Sequence, residues 1–417
     1  MLVKLNLRFF LFILLVVILS YSCNKSLNSD NAISLETLHV DPVSAKSLSV
    51  KRIYIDEKRI PLTTSDSLLI DMISRFQVSK NRFYFLTFNH RVFSFSKDGK
   101  FKYIIDKQGK GPTEYVFPIS LYAEPNDRYL EIFNRGSKNV VVVDSMGNYI
   151  FDWKYDLYIS KATHYKGLTC MLVGSVLNFI DNEECTSQLF IYDSLKQMQA
   201  SYIPFDKKYW KFLGVGDRID MVHVNNNLHV RVNYNDTVYC LSKNKNKIQL
   251  YPKYLLDYGK YAIPSKLFDK GFEDVTGLEQ ALKKEGCVYD VYRYFETNNY
   301  IFFSFKRKTT AYHYFYSKKT KQVKIVDKLI IPFKGFVYKR ALKFNDLPRA
   351  VEDNIWYFIK EPVDYINEMK KIKKHLGKDK WEKFKQENKE YYEFVSGLSV
   401  MDNPIIVKRK INPQLFN

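Results

Sequence analysis

The chain has 417 residues, including 32 tyrosines and 31 phenylalanines, and a formal net charge of +20. This length excludes an ordinary single domain, unless the chain forms a closed β architecture that runs longer as one unit. Aromatic residues suit half-buried pleated surfaces, so the composition favours β structure. The positive charge favours acidic partners such as anionic glycans, acidic protein faces or lipid headgroups, with a solvated lysine-rich surface as the alternative.

The N-terminus has the pattern of an export signal. Lys4 and Arg8 precede an apolar run from Phe9 to Leu19, which is too short for a membrane-spanning helix of about 20 residues. Small residues before Cys23 predict a lipoprotein signal peptide over residues 1–22 and lipidation at Cys23. An ordinary secreted protein is the alternative.

Residues 23–47 are predicted to be a tether between membrane and domain, because they are polar and show no period. Asn24, Lys25 and Ser26 lack the acidic run that marks surface export in some lipoproteins. The predicted location is therefore the cell envelope, with a lipid anchor in the outer membrane and the protein facing the periplasm. An exported chain rarely meets nucleic acid, so no such partner is expected.

One layout recurs along the chain: an alternating aromatic and β-branched strand, a polar turn and a second strand. Aligning Phe95, Val142, Ile191 and Cys240 gives steps of 47, 49 and 49 residues, which is the length range of a propeller blade. The six predicted units are Val92–Phe101, Val140–Phe151, Leu189–Lys196, Thr237–Asn246, Tyr312–Lys321, and Ile355–Ile359 with Pro404–Lys408. The predicted fold is all-β, a six-bladed β-propeller over residues 48–417.

Three segments add to this plan. The segment Ser49–Ile55 is predicted to add a strand to the last blade and close the ring, and residues 255 to about 290 are inserted before the fifth unit. Over 363–395 the apolar period becomes helical, which predicts two short amphipathic helices as a small insertion in the last blade. These helices either form a lid over one propeller face or pack on the sixth blade, and their lysines form a solvated face.

A loop after the first hairpin contains Gly109, Gly111, Pro112, Glu114 and Tyr115. With this motif, roughly Gly-x-Gly-Pro-x-Glu-Tyr, the chain resembles the six-bladed β-propeller lipoproteins, NHL/TolB-like propellers that some Gram-negative bacteria carry in many copies. The resemblance implies the fold and says little about activity, because that family is largely uncharacterised. The glycines permit positive φ and Glu114 can accept backbone N–H bonds, so the motif is interpreted as an inter-blade clamp. A ligand-binding role for Glu114 is the alternative.

The common motifs of zinc proteases, nucleotide-binding loops, serine hydrolases and CxxC sites are missing from the sequence. His223 and His229 lie on strands predicted to pair and could point the same way, but a metal needs more ligands. No metal and no cofactor is therefore expected. Carboxylates that could include an acid and base pair are Asp217, Asp220, Glu273, Asp274 and Asp290. The sequence does not indicate whether they converge, so the catalytic residues are unknown.

Four cysteines follow Cys23, an even number in a compartment that permits disulfides. They are Cys170, Cys185, Cys240 and Cys287. A disulfide between the first two across a hairpin and buried free thiols are both consistent with the spacing.

The sequence predicts a membrane-anchored binding or scaffolding module for a protein or glycan ligand, using one face of the ring and its central funnel. The alternative is a propeller-fold lyase or hydrolase acting on an extracytoplasmic glycan or peptide, which requires histidine and carboxylate side chains to converge in the funnel. A third interpretation is a periplasmic sensor whose helical insertion docks onto a membrane protein.

Overall fold

The chain folds mainly into short antiparallel sheets that succeed one another in sequence. The computed structural model describes residues 34–111, 113–174, 177–180, 182–206, 218–245 and 247–417. The predicted signal peptide, Cys23, Pro112 and Asp217 lie outside the described residues. Residues 37–417 form one compact unit. Within the described ranges, no helix is long and apolar enough to cross a lipid bilayer.

An extended N-terminal segment precedes the first sheet. It contains β1 (Glu36–His39), a 3₁₀ turn (Pro42–Ser44), β2 (Lys46–Ser49), the short helix α1 (Val50–Ile53) and β3 (Tyr54–Pro61).

Three four-stranded sheets and a small hairpin follow. Sheet A consists of β4 (Ile73–Val78), β5 (Arg82–Thr87), β6 (Val92–Ser96) and β7 (Phe101–Ile105). Sheet B consists of β8 (Pro118–Ala123), β9 (Tyr129–Asn134), β10 (Asn139–Asp144) and β11 (Tyr149–Lys154). Sheet C consists of β12 (Lys161–Tyr165), β13 (Leu168–Leu172), β16 (Ser187–Tyr192) and β17 (Met198–Pro204), and its middle connection holds the hairpin β14 (Asn178–Ile180) and β15 (Glu183–Cys185).

Three further sheets incorporate the N-terminal strands. Sheet D consists of β18 (Asp220–Val224), β19 (Asn227–Arg231), β20 (Thr237–Asn244), β21 (Lys247–Asp257) and β1. Two 3₁₀ helices (Gly259–Tyr261, Ser265–Lys270) and α2 (Val275–Glu285) lead to sheet E, with β22 (Val288–Glu296), β23 (Tyr300–Arg307), β24 (Thr310–Ser317), β25 (Val323–Phe333), β26 (Phe336–Ala341) and β2. After a 3₁₀ turn (Phe344–Asp346), sheet F consists of β27 (Ala350–Glu352), β28 (Ile355–Lys360), β29 (Ile405–Ile411) and β3, and a 3₁₀ helix (Pro413–Phe416) ends the chain.

Two helices separate the paired strands β28 and β29. They are α3 (Pro362–Glu387), which starts with a proline at its first position, and α4 (Lys389–Ser396). Helix α3 is broken at Gly377, whose φ of 71° and ψ of −179° are not helical. A glycine adopts this conformation without the steric strain of a side chain, so α3 consists of two helical pieces rather than one.

The six hairpins predicted from the repeat are all antiparallel strand pairs. They are β6–β7, β10–β11, β16–β17, β20–β21, β24–β25 and β28–β29. In the first hairpin, Asp98 and Gly99 form the turn, and Gly99 has a φ of 86°. The Asp-Gly signal therefore identified a turn that requires left-handed backbone.

The sheets contact one another through their first strands and bury their aromatic residues in between. β4 contacts β8, β8 contacts β12, β12 contacts β18, β18 contacts β22, β22 contacts β27, and β27 contacts β4. Phe83 and Phe85 of sheet A pack with Tyr357 and Ile359 of sheet F in one buried cluster. Burial between neighbouring sheets explains why so many tyrosines and phenylalanines are present.

Two predictions for the N-terminal segment need correction. The predicted tether over 23–47 overlaps the folded unit from Glu36 onward, because β1 pairs with β21 and β2 pairs in parallel with β25. The strand predicted at Ser49–Ile55 starts later: Val50–Ile53 is helical, and Tyr54–Pro61 pairs with β29 in the last sheet.

Candidate functional site

A cleft of about 950 Å³ opens beside the helices α3 and α4. Its other walls are β3, the β25–β26 hairpin and the ends of β28 and β29. We call it the helix cleft. A volume of this size lies in the range of small-molecule and oligosaccharide sites.

The helices are held in place by their apolar stripe. Met369, Ile372, Trp381 and Phe384 are buried against the β25–β26 hairpin, whose contributing residues are Phe333, Phe336 and Tyr338. The sequence predicted either a lid or packing on the last blade, and the observed partner is instead a hairpin that extends sheet E. This packing fixes the helical wall of the cleft.

One group of charges in the cleft is a carboxylate shared by two guanidinium groups. Arg409 Nη2 and Nε lie 2.7 and 2.9 Å from Glu57 Oε2, and Arg59 Nη2 lies 2.7 Å from Glu57 Oε1. Burial alone would raise the pKa of Glu57, but Arg409 and Arg59 lower it below its usual value. Two cations and one anion leave an excess positive charge at this place.

Aromatic rings support both guanidinium groups. The Arg59 guanidinium carbon lies 5.0 Å from the ring centroid of Phe394 and 5.6 Å from that of Tyr391, and the Arg409 carbon lies 5.3 Å from that of Tyr54. Cation–π contacts of this kind hold a planar guanidinium in one orientation. The two arginines are therefore pre-positioned in the cleft.

A second group of charges lies deeper in the cleft. Asp346 Oδ1 is 2.8 Å from both Lys360 Nζ and Arg340 Nη2, and Arg340 Nε is 3.1 Å from Glu368 Oε2. Burial would raise the pKa of Asp346, but Lys360 and Arg340 lower it far below its usual value. Asp346 and Glu57 are thus held ionised and paired with cations, an arrangement that suits binding and positioning better than proton transfer near neutral pH.

Two buried polar groups of the cleft lack a partner among the described residues. They are the hydroxyl of Tyr54, a residue only 6% exposed, and Nε of Arg59. Burial raises the pKa of Tyr54 well above its usual value, so the phenol keeps its proton as a donor. Buried polar groups are nearly always hydrogen-bonded in native proteins. Both atoms are shielded from solvent, so a small opening of the cleft is needed for a ligand or water to reach them.

The predicted loop motif lies elsewhere, between β7 and β8, and does not line the helix cleft. Glu114 Oε2 accepts a hydrogen bond from Gly111 N at 2.7 Å, and the buried Tyr115 donates from its hydroxyl to Ile105 O at 2.9 Å. Gly109 and Gly111 have no positive φ, contrary to expectation. A Cβ on Gly109 would lie 1.9 Å from Glu114 Oε2, so close approach of the Glu114 carboxylate explains this glycine.

The two predicted strand histidines do not point the same way. His223 is paired with Leu228 and His229 with Val222, which puts the imidazoles on opposite faces of sheet D. His223 Nε2 lies 3.1 Å from Thr163 Oγ1, whereas His229 pairs with a buried glutamate of sheet E.

Three of the predicted carboxylates that the structure describes have partners other than a second carboxylate. Asp220 pairs with Arg231 at 2.7 Å, Asp290 pairs with Arg218 at 2.5 Å, and Asp274 caps α2 by accepting from Gly277 N at 2.8 Å.

The four cysteines after Cys23 are free thiols. Burial raises the pKa of the Cys170 thiol, which makes it an unreactive core residue. Within the described ranges, no group of three or more histidine, cysteine or carboxylate side chains is placed to hold a metal ion.

A histidine and a carboxylate do meet in a smaller pocket of about 320 Å³ between sheets B and C. His164 Nε2 lies 2.6 Å from Glu131 Oε2, and His164 Nδ1 lies 3.3 Å from Thr169 Oγ1. His164 and Thr169 are direct cross-strand partners on β12 and β13. Sequence reasoning missed this group.

The cleft residues were missed as well. Glu57 and Arg409 are 352 positions apart, so no local motif joins them. A weak signal was present: Lys360 ends the otherwise apolar strand β28, and it is 8% exposed. A buried lysine requires a carboxylate partner, which the sequence does not identify.

Comparisons with known proteins bear on the family and the fold. A family model described as domain of unknown function (DUF4934) matches residues 36–410. A comparison with curated proteins gives no match. Among solved structures, the chain is similar to a Bacteroides fragilis NCTC 9343 protein named a candidate exported protein, with 15% identity, a TM-score of 0.67, and coverage of 90% of this chain and 99% of that chain.

Two other solved structures are more distant. A DUF4221 member from Bacteroides vulgatus ATCC 8482 has 10% identity and a TM-score of 0.50, and covers 86% of this chain and 97% of its own. The β-propeller domain of Myceliophteria thermophila Cps50 (Swd1) has 10% identity and a TM-score of 0.37, and covers 66% of this chain and 95% of its own. The fold is mostly β.

Proposed function

The chain belongs to the DUF4934 family, and we propose that it is a lipid-anchored, extracytoplasmic six-bladed β-propeller that binds an anionic glycan in the helix cleft. The ring is supported by sheets A to F, which have four or more strands each, and by the contacts of their first strands, which return from β27 to β4. β3 pairs with β29, so the two ends of the chain share the last sheet, with α3 and α4 as its helical insertion.

The proposed location rests on the N-terminal pattern. Cys23 carries the lipid, the anchor lies in the outer membrane, and the propeller faces the periplasm. The candidate exported protein from Bacteroides fragilis, similar over 90% of this chain, supports export. Mass spectrometry of the protein purified from membranes tests lipidation: a diacylglyceryl adduct on a chain that starts at Cys23 is expected, and Cys23→Ser removes it. Digestion of the domain by protease on intact cells would contradict the periplasmic orientation.

The observation that carries the ligand proposal is the unpartnered Tyr54 hydroxyl beside two aromatic-backed arginines that share one carboxylate. The excess guanidinium charge attracts a ligand carboxylate or sulfate. Tyr391 and Phe394 are half-buried lining residues of the cleft, and the part of each ring that remains accessible offers apolar area to a sugar ring. An acidic glycan has both a negative charge and sugar rings. An acidic protein segment is the alternative ligand, and the binding experiment distinguishes the two.

Tyr54→Phe tests this proposal, since it removes one hydroxyl and nothing else. The hydroxyl has no partner among the described residues, so the variant should unfold at the same or a higher urea concentration than the wild type. Its affinity for an acidic oligosaccharide should fall about tenfold in calorimetry, the effect of one lost hydrogen bond to a charged group. If the protein binds an acidic peptide but no acidic glycan, the ligand of the cleft is a protein segment rather than a glycan.

Tyr155→Phe is the matched control. Its hydroxyl donates to Asn134 O at 2.8 Å in sheet B, so this variant should lose about 1 kcal/mol of stability and keep the affinity of the wild type. Equal affinity of Tyr54→Phe and the wild type for every ligand bound would contradict the assignment of the cleft.

A second candidate function is hydrolysis at His164. The order Thr169, His164, Glu131 matches a nucleophile, a base and a carboxylate that orients the base. Turnover of glycan esters that is lost in His164→Gln but kept in His223→Gln would support this function. Equal background rates for both variants would exclude hydrolysis at His164.

A further inference from the structure

The first part of α3 carries an unusual concentration of unpaired positive charge. Between residues 370 and 380 the only acidic residue is Asp379, and six lysines are present: Lys370, Lys371, Lys373, Lys374, Lys378 and Lys380. All six are exposed. None forms an ion pair with a described carboxylate, whereas lysines further along the helices do, such as Lys385 with Glu382 at 2.6 Å.

The lysines face away from the protein because the opposite side of the helix is buried. Met369 is 8% exposed and Ile372 is fully buried against the β25–β26 hairpin. On a helix, residues on the other side of such a stripe point to solvent. The surface is therefore charged and rigidly mounted, and the apolar side of the helix is not available for insertion into a membrane.

A cavity of about 350 Å³ adjoins the break in the helix at Gly377. It is lined by Lys334 from the β25–β26 turn and by Lys380 and Lys383 from α3, with Glu387 as the one carboxylate. Glu387 lies 4.0 Å from Lys383, which leaves Lys334 and Lys380 without an acidic partner. An anion in this cavity would meet two lysines without an acidic partner and a third that is paired with Glu387.

We propose that this lysine surface docks the protein onto an anionic lipid membrane, with a headgroup phosphate in the cavity at Gly377. The inference rests on the proposed lipid anchor, which brings the domain to a membrane. Every lysine close to an anionic bilayer adds about the same attractive free energy. This electrostatic attraction decays within a Debye length of the membrane surface. Because the apolar stripe is already buried, docking is electrostatic, at the depth of the headgroups and sensitive to salt.

The test uses the mature chain, residues 23–417, with Cys23→Ser so that no lipid is attached. We expect it to co-sediment with phosphatidylcholine vesicles that contain about one third phosphatidylglycerol, a typical anionic surface. It should not sediment with pure phosphatidylcholine, and binding should fall steeply at high salt. Equal binding to both kinds of vesicle, or binding that resists salt, would overturn the proposal.

Two sets of variants with the same loss of charge locate the surface. The test set is Lys334→Gln, Lys371→Gln, Lys374→Gln and Lys380→Gln. The control set is Lys102→Gln on β7 and Lys107→Gln, Lys245→Gln and Lys319→Gln in loops beside sheets A, D and E, four exposed lysines without an ion pair to a described carboxylate. Glutamine keeps the helix propensity of lysine, and circular dichroism checks that both sets fold.

Each lysine lost from the docking surface should weaken vesicle partitioning by about fivefold. The test set should therefore bind at least about a hundredfold more weakly, while the control set stays within about twofold of the wild type. Equal losses in both sets would mean that only total charge matters, which overturns the proposed surface. Failure of this experiment leaves the lipid anchor intact, because the mass of the mature protein tests the anchor separately.

Discussion

A buried charged cluster joins sheets D and E and makes the stability of the protein depend on pH. His229 of β19 is 4% exposed and Glu296 of β22 is 2% exposed. Glu296 accepts from His229 Nδ1, from Lys318 Nζ at 2.5 Å, from the Tyr294 hydroxyl at 2.5 Å and from the Tyr254 hydroxyl at 3.0 Å. The Glu296 carboxylate thus connects sheets D and E, and its removal should strongly destabilise the folded protein.

The magnitude follows from the pKa of His229. Burial would lower it, but hydrogen bonds with Cys240 and Glu296 and the negative charge of Glu296 raise it from 6.5 to about 9. This rise corresponds to about 3 kcal/mol of extra stabilisation for the protonated imidazole. Breaking a buried ion pair by removing one partner typically costs about 3–5 kcal/mol. Glu296→Gln should therefore destabilise the protein by about 3–4 kcal/mol near pH 6.

The sign of the pH dependence is fixed by the direction of the shift. Folding raises the pKa of His229, so its contribution is complete below pH 6.5 and is lost as the pH rises through about 9. Folding lowers the pKa of Glu296 to about 2, so the contribution of Glu296 is present at all pH values of interest. The difference between wild type and Glu296→Gln should shrink above pH 9, leaving the part due to Lys318.

Urea unfolding followed by tryptophan fluorescence at pH 6, 7.5 and about 10 measures these differences. The matched control is Glu183→Gln, which alters an exposed glutamate of β15 and should change stability by less than about 0.5 kcal/mol. A loss below about 1 kcal/mol for Glu296→Gln, or a loss that does not change between pH 6 and about 10, would refute the charged state assigned to His229.

Three further variants test other parts of the structure by the same unfolding assay. Asp346→Asn leaves Lys360 and Arg340 without their shared carboxylate, so a loss of about 3–5 kcal/mol is expected; a neutral effect would mean that the cleft charges are solvated. Gly109→Ala pushes the Glu114 carboxylate off its backbone donor and should cost about 1 kcal/mol, whereas in a Glu114→Ala background the cost should largely disappear. Gly377→Ala should cost about 1–3 kcal/mol from backbone strain alone, because nothing lies within 4 Å of the added methyl group; no measurable loss would show that α3 straightens.

The repeat was readable from the sequence because each hairpin carries its own local signals. In β6 the residues alternate between aromatic and small side chains, and Asp98 with Gly99 forms the turn that the dipeptide predicts. Such signals need only about ten neighbouring residues. The strand pairs of the first five units could therefore be placed without tertiary information, whereas β28 and β29 of the sixth unit are separated by α3 and α4.

The N-terminal segment gave no such signal because its strands are too short. β1 and β2 have four residues each, which is fewer than a period-2 pattern needs to stand out. They are held in place by pairing with β21 and β25, which are distant in sequence. The interpretation of these residues as a tether was wrong for that reason.

The helices show a different limit of sequence reasoning. Their apolar stripe includes Met369, Ile372, Trp381 and Phe384, which the structure buries. Periodicity names the buried face of a helix but not the surface that covers it. The covering surface is the β25–β26 hairpin, and this arrangement creates the helix cleft, where Glu57 pairs with Arg409 at a separation of 352 positions.

The central claim is that the helix cleft holds a ligand in the cell, and in-cell photocrosslinking tests it most directly. A photoreactive amino acid replaces Lys58, an exposed lining residue of the cleft, and in a second strain it replaces Lys102 on sheet A. The account predicts an acidic glycan attached through position 58 only, identified by mass spectrometry of the purified adduct. The same adducts at both positions, or none at position 58 under conditions that crosslink position 102, would contradict it.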